Sequence, residues 1–96
     1  MIITSKQKQF LRGLAHSLDP YIIIGKYGLS ESAIQSIDKS LLDHELIKVK
    51  IKIGDKKELA PIIESKTSSL VVGMIGKIII LYRESEDKEN NKIKLP

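Results

Sequence analysis

One stretch of alternating residues constrains the fold of this chain more than any other. In residues 46–53, branched apolar residues alternate with Lys48, Lys50 and Lys52. A period of two places neighbouring side chains on opposite faces of a β-strand. We therefore expect a strand over residues 46–53 with one apolar face, and with all three lysines on the other.

A first helix is predicted over residues 5–18. Thr4 and Gln7 have the spacing of a capping box, and Pro20 ends the helix. Apolar residues recur along one face, at Phe10, Leu11, Leu14, Ala15 and Leu18. A polar stripe with a spacing of four consists of Lys8, Arg12 and His16. The helix is thus expected to pack through its apolar face.

Two further helices follow. Ser30 reads as the N-cap of the second, which is expected to end near residue 44. Its predicted buried stripe comprises Ile34, Ile37, Leu41 and Leu42. The third covers roughly residues 55–66, where Pro61 is expected to kink or shorten it, because proline lacks a backbone N–H.

The remaining apolar segments predict three more strands. Residues 21–24 form a short strand, and residues 70–75 and 78–83 form a hairpin that turns at Gly76-Lys77. The order is α-β-α-β-α-β-β, in which strands joined through helices run parallel and the hairpin is antiparallel. The predicted class is α+β, an α/β two-layer arrangement with one mixed four-stranded sheet.

Charge divides the chain into two parts. Residues 1–83 hold 13 Lys/Arg against 8 Asp/Glu, a net +5, whereas residues 84–96 hold 3 Lys against 4 Asp/Glu, a net −1. We expect one basic domain over 1–83 and a flexible charged tail over 84–96. The absence of cysteine favours a reducing cytoplasm. The apolar run at 70–82 is shorter than the about 20 residues that span a bilayer, so no membrane partner is expected.

The loop Gly25-Lys26-Tyr27-Gly28 is the candidate functional motif. It joins a strand to the N-terminus of the helix capped by Ser30, where outward N–H groups favour anions. Glycines allow close backbone approach, Lys26 adds a charge, and Tyr27 offers a ring for base stacking. The alternative is a pair of ordinary turn glycines. The loop has neither the P-loop nor the dinucleotide-binding pattern.

Basic side chains outside the loop have two interpretations each. The row Lys48, Lys50 and Lys52 is either a phosphate track or a solvated sheet face. Lys8 and Arg12 either extend the same surface or are ordinary solvated helix residues. The sequence leaves both alternatives open.

Catalytic and metal-binding patterns are not recognisable in this sequence. His16 and His44 lie at helix ends, and no carboxylate or thiol cluster accompanies them, so helix capping explains them better than a metal site. No nucleophile has a recognisable partner base. We expect no enzyme, metal, cofactor or small-molecule substrate.

Four sequence blocks resemble a known family. Residues 11–16, 24–29, 44–50 and 75–83 are similar, in this order, to the YhbY-like proteins, the single-domain bacterial form of the CRM domain. The resemblance covers about residues 3–83. Two departures stand out: Tyr27 lies where the family usually has a third glycine, and Pro61 is unusual inside the third helix.

The resemblance implies both a fold and a function. It implies a four-stranded mixed sheet like that of the C-terminal domain of translation initiation factor three. It also implies RNA binding, association with precursors of the large ribosomal subunit and a role in ribosome assembly, through a GxxG loop likened to that of KH domains. Carried over here, the loop is Gly25 to Gly28, extended by basic residues of the first helix and the lysine-rich strand. The alternative function is a protein-interaction adaptor that docks an acidic protein partner.

Overall fold

The computed structural model describes residues 3–85 and 93–96, which form three helices and four strands. The elements are α1 (Ser5–Ala15), β1 (Ile22–Ile24), α2 (Glu31–His44), β2 (Leu46–Ile51), α3 (Lys56–Thr67), β3 (Leu70–Ile75) and β4 (Ile78–Tyr82). The predicted order of elements is confirmed.

The strands form one sheet in the order β1-β2-β4-β3. β1 is parallel to β2, with Ile24 beside Ile51, whereas β4 is antiparallel to both of its neighbours. A bulge between Val71 and Gly73 interrupts the pairing of β3 with β4. The α+β class and the mixed four-stranded sheet are therefore as predicted.

Side chains from both faces of the sheet are buried. On one face α2 and α3 cover a cluster that includes Ile37, Leu41, Ile63, Val49, Ile79 and Leu81. On the other face α1 contributes Leu11 and Ala15 to a cluster with Leu46, Val72, Ile80 and Tyr82. Each fully buried Leu or Ile stabilises the fold by about 1.5–3 kcal/mol. Because α1 is a single helix, it covers only part of its face.

The capping box of α1 is confirmed, but the helix is shorter than predicted. Thr4 and Gln7 exchange both capping hydrogen bonds. α1 ends at Ala15 rather than at residue 18, because the chain turns and the Leu18 N–H donates to the Ala15 carbonyl at 3.0 Å. The predicted apolar face is also too wide, since Phe10 and Leu14 are 39% and 41% exposed.

The other two helices begin where the sequence predicted. Ser30 caps α2, and α2 ends at His44, but Leu42 is 53% exposed and is not part of the buried stripe. α3 continues through Pro61 to Thr67 and is not shortened. Pro61 cannot donate to the Lys57 carbonyl one turn earlier, but both residues are exposed, so water can take the place of the missing donor.

β2 is shorter than its alternating pattern predicts. It ends at Ile51, so Lys52 and Ile53 lie beyond the strand. The Lys52 N–H still donates to the Ile24 carbonyl at 2.8 Å, and Gly54 then takes a φ of 110° and turns the chain toward α3. The prediction that all three lysines share a strand face therefore holds for Lys48 and Lys50 only.

Glu45 anchors the chain that follows β4. Its side chain is fully buried, and its two carboxylate oxygens accept the N–H groups of Ser85 and Ile93 at 2.7 and 3.0 Å. Ile93 and Leu95 contact the cluster beneath α1. Residues 86–92 of the predicted flexible tail lie outside the described residues, so the boundary at residue 83 stays a prediction.

Candidate nucleic-acid interface

The loop between β1 and α2 is an open glycine turn. The Gly28 N–H donates to the Gly25 carbonyl at 2.9 Å, which closes the turn. Gly28 has a φ of 63°, a left-handed conformation that glycine adopts without steric cost, whereas Gly25 has no positive φ. A Cβ placed at either glycine meets no atom within 4 Å. The backbone is therefore accessible to a ligand from outside.

The two residues between these glycines point into solvent. Tyr27 is 85% exposed, more than any other exposed large hydrophobic side chain in the described residues. The Lys26 Nζ atom lies 5.8 Å from the centre of the Tyr27 ring, within the range of a cation–π contact. The pair presents a positive charge and an aromatic surface at one point of the molecule.

The N-terminus of α2 follows the loop directly. The Ser30 Oγ accepts the Ala33 N–H at 3.1 Å and satisfies one of the N–H groups that a helix start leaves without an intrahelical partner. The N-terminus keeps a partial positive charge from the aligned peptide dipoles. Loop and helix together form a surface suited to an anion.

Two other turns lie beside the loop at the same end of the sheet. The Lys52 N–H bonds to the Ile24 carbonyl, and the Ile51 N–H bonds to the Lys77 carbonyl at 2.7 Å. The turn after β2 and the turn between β3 and β4 are therefore adjacent. We call this edge, formed by residues 25–30, 52–56 and 76–77, the loop end.

Lys48 and Lys50 lie on the same face as α1 but have different surroundings. The Lys48 Nζ donates to the Leu18 carbonyl at 2.8 Å and so ties the segment after α1 to β2. Lys50 is half-buried and lies in a cross-strand row with Ile23, Ile78 and Ile75. Ile23 and Ile75 are 55% and 65% exposed, so α1 does not cover this row.

Arg12 is held against β3. Its Nη1 donates to the Val72 carbonyl at 2.9 Å. Its stem lies over Gly73, where a Cβ would approach the Arg12 Cδ to 2.7 Å. Lys8, one helical turn earlier in α1, is half-buried. This hydrogen bond of Arg12 therefore helps to hold α1 against β3.

Lys56 and Lys77 were not among the predicted site residues, although the structure places both at the loop end. Both line a cavity together with Lys52. Their only signal in the sequence is that each follows a glycine turn, at Gly54 and at Gly76. Their proximity depends on the pairing of β2 with β4, which local patterns do not reveal.

The two histidines lie at helix ends, as predicted. His16 follows α1, and the His44 ring stacks on Tyr21 with the ring centres 4.4 Å apart. Within residues 3–85 and 93–96, no group of three His, Asp or Glu side chains is placed to hold a metal ion. In the same residues, no helix is long and apolar enough to cross a membrane.

The structure defines a small α+β domain with an exposed glycine loop at a strand-to-helix junction and with lysines around it. Comparison with known families agrees with this class. The model of the CRS1/YhbY (CRM) domain matches residues 3–83, and the chain belongs to this family. The suspected resemblance is thereby confirmed.

Relatives in several bacteria match over nearly their whole length. The chain is 43% identical to an "RNA-binding protein" of Haemophilus influenzae, covering 98% of this chain and 95% of the relative. It is 41% identical to the "Probable RNA-binding protein YqeI" of Bacillus subtilis, covering 99% and 100%. A solution structure from Staphylococcus aureus, described provisionally as an RNA binding protein, superposes with a TM-score of 0.82 at 46% identity, covering 99% and 100%.

Proposed function

We propose that this protein binds RNA through the loop Gly25–Gly28 and the adjoining basic surface, and that it acts in assembly of the large ribosomal subunit. The observation that carries the proposal is the open glycine turn at the start of α2, with Lys26 and the 85% exposed Tyr27 projecting from it. The names of the relatives support RNA as the ligand class.

The mechanism follows from the chemistry of the loop. A phosphodiester approaches the bare backbone at Gly25 and Gly28, where the partial positive charge of the α2 N-terminus attracts it. Lys26 contributes a full charge. Tyr27 stacks on an unpaired base, a contact that contributes about 1–3 kcal/mol in single-strand binders. Binding of this kind reads backbone and shape more than sequence.

The row of Ile23, Lys50, Ile78 and Ile75 extends this surface across the sheet. Lys50 offers a charge to a phosphate, while the exposed isoleucines offer apolar contact to bases or riboses. Lys52 lies between the row and the loop at the loop end, and Lys8, Arg12 and Lys48 add positive charge along α1 and β2. The whole surface is suited to a precursor ribosomal RNA in the cytoplasm, where the cysteine-free composition fits.

Salt-dependent binding to fragments of large-subunit ribosomal RNA tests the proposal. If about five phosphates are contacted, log K falls with log salt at a slope of about −3.5 for a single strand. The variant K26E/Y27E is expected to lose most of this affinity. The variant S65E/K66E changes the charge equally on exposed positions at the far end of α3 and serves as the control.

Three results would contradict the proposal. RNA affinity that is unchanged in K26E/Y27E would exclude the loop as the binding site. If crosslinking in cells recovered only messenger RNA, or no RNA, the ribosomal role would be wrong. Capture of an acidic protein in place of RNA would favour the adaptor alternative.

A further inference from the structure

A cavity of about 340 Å³ opens at the loop end, between the turn after β2 and the turn between β3 and β4. Three of its lining residues are lysines, at positions 52, 56 and 77, and we call the cavity the lysine pocket. Its volume falls in the range of about 300–1,000 Å³ that is usual for small-ligand sites. Lys56 and Lys77 lie outside the loop Gly25–Gly28 and outside the row of Lys50 and its isoleucines.

Backbone hydrogen bonds hold the two walls of the lysine pocket together. The Ile51 N–H donates to the Lys77 carbonyl at 2.7 Å, which ties the hairpin turn to the end of β2. The Lys56 Nζ donates to the Gly76 carbonyl and ties the start of α3 to the same turn. The pocket is thus part of the folded sheet and does not depend on a ligand to bring its walls together.

The charge of the lysine pocket is positive. The one carboxylate in its lining, Asp55, caps α3 by accepting the Lys57 N–H at 2.9 Å. Because Asp55 already occupies the start of the helix, the attraction for an anion comes from the ammonium groups and not from the helix. Lysine binds phosphate as a point charge, and the three lysines of this lining supply such charges without an arginine.

We propose that the lysine pocket binds an internal phosphodiester of the same RNA strand that the loop Gly25–Gly28 holds; this inference rests on the proposed function. The loop follows β1, and the pocket lies between the ends of β2 and β4. At about 4.8 Å between strands, the two sites are about 7–10 Å apart. A single strand that rises about 3.4 Å per nucleotide covers this distance with two or three nucleotides.

Charge removal at the lysine pocket tests the contact. The variant K52Q/K77Q removes two charges and leaves Lys56 to hold the turn. The variant K39Q/K66Q removes two charges from exposed positions on α2 and α3 and is the matched control. With a 12-nucleotide single-stranded RNA, K52Q/K77Q is expected to reduce the steepness of the salt dependence by about 0.7, the value for the loss of one phosphate contact. The control is expected to keep the wild-type slope.

Amide chemical shifts identify the phosphate that binds. We expect RNA to shift the amides of Gly54, Gly76 and Lys77 equally whether its 5′ end carries a hydroxyl or a phosphate. Shifts that require a 5′-phosphate would overturn the internal-phosphodiester assignment. Inorganic phosphate alone is expected to shift the same amides at higher concentration.

The outcomes of these experiments distinguish an error in the lysine-pocket proposal from an error in the proposed function. If K26E/Y27E loses RNA binding while K52Q/K77Q matches its control, the lysine pocket is wrong and the loop remains the site. Shifts confined to residues 25–30 would have the same meaning. If wild-type protein and K26E/Y27E bind RNA equally weakly, the proposed function itself is wrong.

Discussion

The two ends of the sheet differ in what their polar groups do. At the loop end, three turns have glycines with positive φ, and Lys26, Lys52 and Lys77 extend into solvent. At the opposite end, where β2 begins and β4 finishes, Glu45 and Tyr82 are fully buried. The Arg83 N–H also donates to the Glu45 carbonyl there, at 2.8 Å.

We infer from this difference that the Glu45 end contributes to the stability of the domain and the loop end to the binding of RNA. At the Glu45 end, polar groups bond to other parts of the chain and determine how well the domain folds. At the loop end, lysine side chains extend from the turns, and the glycines of these turns leave the backbone open to a ligand. Substitutions at the two ends should therefore change different measured quantities.

The largest expected effect is that of Glu45→Ala. It removes the carboxylate that accepts the half-buried N–H groups of Ser85 and Ile93, and the loss of each hydrogen bond costs about 1–3 kcal/mol. We expect the free energy of unfolding in urea to fall by about 2–6 kcal/mol, with RNA affinity of the folded protein unchanged. Glu58→Ala, on an exposed face of α3, is the control. A loss below about 1 kcal/mol would contradict the anchoring role.

Tyr82 lies at the same end and makes the free energy of unfolding of the domain depend on pH above about 10. Burial, with smaller contributions from the charges of Glu45 and Glu84, raises the pKa of the Tyr82 hydroxyl to about 12 from 10.0. Above pH 10 the unfolded chain releases this proton while the folded chain retains it, so stability falls between pH 10 and 12. The total loss is about 2–3 kcal/mol.

Urea unfolding between pH 9 and 12 measures this fall. The variant Tyr82→Phe lacks the hydroxyl and should show a correspondingly smaller decrease over the same range. Equal decreases in the two proteins would show that Tyr82 does not cause the pH dependence.

Tyr27→Ala should weaken RNA binding and leave folding intact. The ring is 85% exposed and contributes little to the core, so the unfolding free energy should change by less than about 0.5 kcal/mol. Loss of stacking should raise the Kd for single-stranded RNA by about 5–150-fold, equivalent to about 1–3 kcal/mol. Tyr27→Phe keeps the ring and should retain the affinity. If Phe and Ala weaken binding equally, stacking is not the contact.

The smallest expected effect is that of Lys50→Gln. If Lys50 contacts one phosphate, the slope of log K against log salt should become less steep by about 0.7. The exposed Lys66→Gln variant should leave the slope unchanged. Identical slopes in the two variants would show that the row of Lys50 and its isoleucines is an ordinary solvated face, as the alternative interpretation holds.

Local sequence signals correctly predicted helix starts and turns, because a single residue determines where each of these occurs. Thr4 and Ser30 cap the helices at which they were expected, and Gly76 turns the hairpin. The extent of burial was predicted less well, since Phe10, Leu14 and Leu42 are exposed although they fit an apolar stripe. A stripe shows which side of a helix is apolar, but the width of the contact depends on what packs against it.

The candidate site shows the same division. The amino-acid sequence by itself determined the Gly25–Gly28 loop, its Lys26 and Tyr27, and its position before a capped helix, because these features depend on neighbouring residues. Only the tertiary structure decided that Lys48 and Arg12 bond to backbone carbonyls and that Lys52, Lys56 and Lys77 share one cavity. Those outcomes depend on the pairing of β4 with β2 and on α1 crossing the sheet, which bring together residues distant in the chain.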